Sequence, residues 1–323
     1  MMTGGYYKVE GEAKNLLEEN WDFLIILDAC RYDYFKDLYR NYLDGEVKKA
    51  ISPGISTPDW VNKVFTDFYD DIVYISANPQ INSKIGVAED EHGLKFDAKK
   101  HFYKVIDVWK WGWNDEFGTV LPSQVNKAIL KVKDDYKKKR FILHYVQPHE
   151  PYISKRYKDF IPSNYIKVRD PSFFKEKKLQ SKILKYRRAF IGNLIYKTLG
   201  IRALWKFKNL CGIPCQPSLI YSKEGFRGLR RAYKENLEVV LENVAYLLEN
   251  ISGNILITAD HGEYLGENGR YGHLTGFVPR GPPVVEVPWL VIKKDKSKSK
   301  LKEVSDKGMI KERIKMLKKV GKI

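Results

Sequence analysis

Short apolar runs placed directly in front of carboxylates and imidazoles constrain this chain more than any other feature. Trp21-Asp22-Phe23-Leu24-Ile25-Ile26-Leu27 ends at Asp28. Phe141-Ile142-Leu143-His144-Tyr145-Val146 leads into Gln147-Pro148-His149-Glu150-Pro151-Tyr152. Asn254-Ile255-Leu256-Ile257 leads into Thr258-Ala259-Asp260-His261-Gly262-Glu263. Runs this short and this continuous read as strands buried in a parallel sheet. Residues 72–76 and 287–292 read as two more strands. Helical patterns over residues 31–42, 124–136 and 226–250 separate them, the last with Leu229, Leu237, Val240, Leu241, Val244, Leu247 and Leu248 at core-facing spacing. Strands alternating with helices predict an α/β fold, a mostly parallel central sheet with helices on both faces. Parallel strands end on one edge, where ligands bind.

The 323 residues suit one large α/β domain carrying an insertion. The expected division is a catalytic domain over residues 1–293, interrupted by a basic helical insertion at about 155–224, and a lysine-rich tail over 294–323. Charge marks the same boundaries: residues 155–231 carry a net +16 and residues 293–323 a net +9 within a total of +17, leaving −8 for the rest. Concentrated positive charge favours polyanions or anionic lipid surfaces, or is a solvated lysine-rich surface. No recognised nucleic-acid-binding motif accompanies it. No stretch reaches the roughly 18 apolar residues of a membrane span, and residues 1–14 are polar with no apolar signal segment. A cytoplasmic protein is the expectation. Cys30, Cys211 and Cys215 match no zinc spacing and are expected as reduced thiols, with a Cys211–Cys215 disulfide the less favoured alternative.

Asp28, Asp260 and His261 are brought to one sheet edge by this architecture, and carboxylate and imidazole atoms are what a divalent cation takes as ligands. A helix follows Asp28, so an N-cap is its structural alternative. Ser56 and Thr57 precede Pro58 and Asp59, residues suited to the first turn of a helix. A hydroxyl there faces free backbone N–H groups, a place suited to phosphate or sulfate, and metal coordination makes it a nucleophile. Thr57 reads equally as an N-cap and Ser56 as a turn serine. His149 can bind metal, hold an anionic oxygen or protonate a leaving group. His144, inside a strand, reads as a core residue; His92 and His101 have no partner signal.

The set Asp-Ala-Cys-Arg-Tyr-Asp from Asp28, Ser56-Thr57-Pro58, Pro148-His149-Glu150-Pro151-Tyr152, and Thr258 to Gly269 followed by Gly272-His273 resembles the alkaline phosphatase/sulfatase superfamily, closest to its sulfatase-like branch in archaea. The resemblance spans about residues 20–293 apart from the basic insertion. It implies that Asp28, Asp260 and His261 bind metal, that His273 binds metal or substrate, and that His149 stands near the substrate. It also implies that Ser56, two residues before a proline, is the nucleophile and a metal ligand. Asn78 is a further candidate for the anion. Two departures matter. A single aspartate ends the first strand where many sulfatases have a pair, and Trp60 stands where their formylglycine motif has arginine.

The leading expectation is therefore a hydrolase or transferase acting on a phosphate ester or diester, with a divalent metal that oxygen and imidazole donors leave open as Zn, Mn, Mg or Ca. A sulfatase is the alternative within enzymes. A non-catalytic module binding polyanions or membranes is the alternative outside them. Residues 189–205 mix apolar and basic side chains as an interfacial helix does, which suggests a lipid-linked substrate or an anionic membrane as partner; a lid helix packed on its own domain is the competing reading.

Overall fold

A computed structural model describes residues 5–84, 87–89, 93–162, 179–273 and 279–294. The tail beyond 294, residues 163–178 of the insertion and His92 lie outside the described residues, as do the side chains of 179–191, 193 and 197. The centre is a nine-stranded sheet. Its strands are β1 (Tyr6–Val9), β2 (Glu12–Asn15), β3 (Phe23–Leu27), β4 (Val47–Ile51), β5 (Tyr69–Ser76), β6 (Phe102–Asp107), β7 (Arg140–Tyr145), β8 (Gly253–Thr258) and β9 (Glu286–Lys294). They lie in the order β2-β1-β4-β9-β8-β3-β7-β5-β6. The five strands from β8 to β6 pair in parallel, while β9, β4, β1 and β2 add four antiparallel pairings. The expected parallel sheet is thus the centre of a larger mixed one.

Five helices matter to the site: α1 (Tyr32–Leu38), α2 (Thr57–Val64), α3 (Pro122–Val132), α4 (Leu179–Leu210) and α5 (Gln216–Asn250). All five residues of β3 are buried, so both sheet faces are covered. Neighbouring residues of β7 show by what, because successive side chains of a strand point to opposite faces. Tyr145 donates its hydroxyl hydrogen to Asn126 of α3 at 2.6 Å. His144, on the other face, meets Trp60 of α2 edge-on, ring centroids 6.2 Å apart.

Two differences from expectation have local causes. The helix predicted to begin at 226 starts at Gln216, but Gly225 sits at φ 63° and breaks it where the sequence pattern begins. The N-terminal residues, read as plain polar chain, form the β1–β2 hairpin, turning at Glu10 and Gly11, both at positive φ. Tyr7 of that hairpin is fully buried. Its hydroxyl donates to the Ala259 carbonyl at 3.0 Å and accepts from Trp60 Nε1 at 2.6 Å, tying β1 and α2 to the end of β8.

Candidate active site

The strand ends deliver the acidic residues. β3 ends before Asp28 and β8 before Ala259-Asp260-His261, and the two strands are adjacent and in register, Thr258 opposite Ile26. β4 runs in the same sense, because β9 is antiparallel to both it and β8. The loop after β4 therefore opens on the same edge and carries Ser56 and Thr57. Ser52 in that loop donates to the Asp260 carbonyl oxygen, pinning the two loops together.

Asp28, Asp260, His261 and His144 converge there, none more than 4% exposed. His261 Nε2 stands 3.6 Å from Asp28 Oδ1 and 3.5 Å from Asp260 Oδ2. His144 Nε2 stands 3.8 Å from an oxygen of each carboxylate. These separations are long for hydrogen bonds. The His261 separations match tetrahedral ligands about 2.0–2.2 Å from zinc, which lie about 3.3–3.6 Å apart; the His144 separations are wider, and the ligand atoms of Asp28, His144 and Asp260 all lie within 4.8 Å of one another. Asp28 Oδ1, His144 Nε2 and His261 Nε2 are buried and make no hydrogen bond, which is costly unless a ligand satisfies them. The other ring nitrogens are engaged: His261 Nδ1 lies 2.9 Å from the Gly262 carbonyl oxygen and His144 Nδ1 2.7 Å from the Tyr74 hydroxyl. Nδ1–H donating to a carbonyl leaves Nε2 of His261 with its lone pair free, the tautomer that ligates metal.

The electrostatics agree. Burial, then the charges of Asp260 and Glu263, push the Asp28 carboxyl well above its usual range. Burial also pushes Asp260 up, but His261, His144 and hydrogen bonds from Thr57 and the Ala29 N–H outweigh it and hold Asp260 below the usual range. Burial keeps both imidazoles neutral, with His144 lowered to about 4. Two carboxylates crowded beside neutral imidazoles are an unfavourable arrangement that a divalent cation relieves. The donor set fits a metal.

The two candidate hydroxyls behave differently. Ser56 is the N-cap of α2, its Oγ accepting from Asp59 N at 3.4 Å. Thr57 Oγ1 instead donates to Asp260 Oδ2 at 2.7 Å. Asn78, after β5, donates to Asp28 Oδ2 at 3.1 Å. Asp28 is not a helix cap: Arg31 occupies that position in α1, without a side-chain bond.

His149 and His273 form a second layer, their Nε2 atoms 3.0 Å apart. The His273 ring centroid lies 4.1 Å from that of His261. Asn236 of α5, fully buried, donates to the carbonyls of Pro148, His149 and Pro151 and accepts from Ile153 N–H, so one side chain sets the His149 loop. Tyr233, one helical turn earlier, donates to the Ala29 carbonyl and accepts from Arg31 N–H. It supports the turn after Asp28, where Ala29 sits at φ 56°.

Sequence reasoning brought Asp28, Ser56, His149, Asp260, His261 and His273 to this edge. It read His144 as a core residue; His144 is buried in β7, but its Nε2 faces the carboxylate pair. The available signal was an imidazole interrupting a run otherwise apolar up to the strand's carboxyl end. Tyr74 and Asn236 carried no motif at all, and the buried Glu263 stood inside the Asp-His-Gly-Glu run without a role of its own. His101 stacks on Phe96 with ring centroids 4.5 Å apart, away from the site. All three cysteines are free thiols, so the disulfide alternative does not hold.

No family model matches the chain, and no curated protein matches it in sequence. Solved structures do. The soluble domain of lipooligosaccharide phosphoethanolamine transferase A from Neisseria meningitidis is 14% identical over 83% of this chain and 75% of that one, with a TM-score of 0.45. The C-terminal periplasmic domain of EcEptC from Escherichia coli, in complex with Zn, is 11% identical over 92% and 78%, at 0.44. The putative sulfatase yidJ from Bacteroides fragilis is 19% identical over 56% and 31%, at 0.25. At these identities and scores the likeness assigns no activity to this chain. The cytoplasmic expectation is corrected, because a periplasmic domain stands among the similar structures. Among the described residues no helix is long and apolar enough to cross a membrane.

Proposed function

We propose that this chain is a metal-dependent enzyme acting on phosphate esters or diesters, as a hydrolase or a phosphoryl-group transferase. The observation that carries the reading is the buried group of Asp28, His144 and Asp260, whose ligand atoms all lie within 4.8 Å of one another beside a helix-terminal hydroxyl, with Asp28 Oδ1, His144 Nε2 and the adjoining His261 Nε2 unpartnered. Asp28, Asp260 and His261 would hold the divalent ion, with His144, whose ligand atom groups with those of both carboxylates, as a further donor. A divalent ion held there would polarise the ester and lower the pKa of a hydroxyl beside it. Thr57 Oγ1 is the better-placed nucleophile, 2.7 Å from Asp260 Oδ2, whereas Ser56, favoured by the motif, has its oxygen engaged in capping α2. The Oγ1–P bond forms as the ester P–O bond breaks, and the Thr57 hydroxyl proton passes to Asp260 Oδ2, to which it already donates. His149 and His273 stand next to the cluster to orient the leaving oxygen and supply its proton. Water or a second hydroxyl then releases the phosphoryl group.

The domain boundaries, with residues 1–293 as the catalytic unit, and the archaeal sulfatase-like branch belong to this same reading; charge distribution supports the first and the motifs the second. Trp60, in the place of the arginine of the formylglycine motif, favours phosphoryl over sulfate-ester chemistry.

Rapid-quench mass spectrometry with an aryl phosphodiester tests the proposal. A phosphoryl group is expected on Thr57, lost in Thr57→Ala and kept in Ser56→Ala. The reverse pattern makes Ser56 the nucleophile. Turnover of an aryl sulfate but no phosphate ester selects the sulfatase reading, and metal-independent turnover in both variants sinks the site.

A further inference from the structure

The basic insertion has two faces. On one, Ile201 and Trp205 of α4 are buried in a cluster with Tyr152, Leu229 and Tyr233. The Trp205 ring lies 5.1 Å from that of Tyr271, two residues before His273, and Tyr271 shares a 2.8 Å hydrogen bond with Tyr152. That face rests on the rim of the site. The other face is apolar and exposed. Lys206, Phe207 and Leu210 occupy the outer side of the last turns, with Phe207 36% and Leu210 87% exposed. Leu194 at 54%, Leu199 at 69% and Ile213 at 40% extend the same apolar exposure along and beyond the helix. Among the described residues, Val291 is the only exposed large aliphatic side chain outside this segment.

The charge around these residues is of one sign. From 194 to 231 the chain carries eight Lys and Arg against one acid, Glu224, which is itself paired with Arg231 and bonded by Tyr157. Arg202, Lys206, Lys223, Arg227 and Arg230 are exposed. Apolar side chains that protrude among cations fit neither a nucleic acid, which has no use for Leu210, nor bulk water, which does not reward their exposure. They fit the boundary of an anionic bilayer, where apolar residues enter the acyl edge and cations meet headgroup phosphates.

We propose that the α4–α5 hairpin docks on an anionic lipid surface through Leu199, Phe207, Leu210 and Ile213, with Arg202 and Lys206 beside them. Docking and rim support then occupy opposite sides of residues 201–210, with Leu199 just before the break at Gly200, an arrangement that holds the site close to headgroup-borne esters. The docking surface stands on its own; only its use in delivering substrate rests on the proposed phosphoester chemistry.

Co-sedimentation of the full chain with vesicles tests it. Binding is expected to vesicles of phosphatidylcholine mixed with phosphatidylglycerol, and at least tenfold weaker binding to phosphatidylcholine alone. Phe207→Ser with Leu210→Asp removes protruding side chains without touching the buried face, and is expected to weaken binding at least tenfold. Arg202→Glu with Lys206→Glu is expected to weaken it comparably and to flatten its dependence on salt. Turnover of a soluble aryl phosphodiester should be unchanged in both variants, which separates a docking failure from a failed catalytic reading. Absence of vesicle binding by the parent chain overturns the proposal. So does binding indifferent to Leu210→Asp, or self-association that Leu210→Asp abolishes while vesicle binding never occurs, which would identify a second copy as the occupant.

Discussion

The sheet edge and the α4–α5 hairpin are built on opposite plans. At the edge, acidic and imidazole groups are buried completely and some are left without hydrogen-bond partners; on the hairpin, apolar groups protrude among cations. Outside the two basic segments the chain carries a net −8, and residues 155–231 a net +16. Each region breaks the usual rule of burial, in opposite directions, and each break is costly unless something binds. The edge calls for a cation, the hairpin for an anionic apolar surface.

The comparison is most easily broken at the cation. Asp260→Asn removes a charge that accepts from Thr57, Ala29 N–H and His261 N–H. Metal content by mass spectrometry after dialysis should fall to background, and turnover should drop by at least about a thousandfold. Vesicle binding should stay. Loss of both together would mean that the two regions are not independent.

Trp205→Ala attacks the other side. Trp205 is 3% exposed and packs on Tyr221 and Tyr271. Truncating a buried Trp costs about 3–5 kcal/mol. The loss should be local: hydrogen exchange should accelerate across 194–231 while β3, β7 and β8 stay protected and metal affinity is retained. Between the two regions stands Asn236. Asn236→Ala leaves the His149 loop carbonyls and Ile153 N–H without their partner, at about 2–3 kcal/mol. Chemical denaturation should show that loss, with KM raised more than the metal affinity is lowered.

How much of each region was legible follows from how each is held. Asp28, Asp260 and His261 sit at ends of strands whose apolar runs fix both location and direction, so sequence order alone placed them on one edge. Parallel register did the rest. What escaped was decided by side-chain direction. His144 differs from its neighbours only in facing Trp60 and the carboxylates rather than α3, a matter of strand alternation read against an unknown partner face. The choice between Ser56 and Thr57 turns on one residue of helix phase. The β1–β2 hairpin was missed because its buried residues, Tyr7 and Val9, alternate with polar ones over only four positions. In the hairpin, charge was plain in the sequence, whereas the division between buried Trp205 and exposed Leu210 depends on the break at Gly200, φ 79°.

The last expected effect is on pH, and it tests whether His144 belongs to the edge site or merely fills the core. Burial lowers its pKa to about 4, with the Asp260 charge opposing and His261 adding to the shift. In the unfolded chain an imidazole takes up its proton near about 6.5. As pH falls through that value the unfolded state gains a proton that the folded state refuses, so folding stability declines. The decline from His144 spans the window from about 6.5 down to about 4, at up to ~1.4 kcal/mol per pH unit. Asp28 and Glu263, whose carboxyls are raised chiefly by burial, contribute with the opposite sign. They are common to parent and variant, so His144→Asn isolates the imidazole. In metal-free protein the variant should lose less stability than the parent on acidification through that window, measured by urea midpoints. With metal present, the parent should gain more stability from the ion than the variant does. Equal gains would return His144 to the core and leave the cation to Asp28, Asp260 and His261.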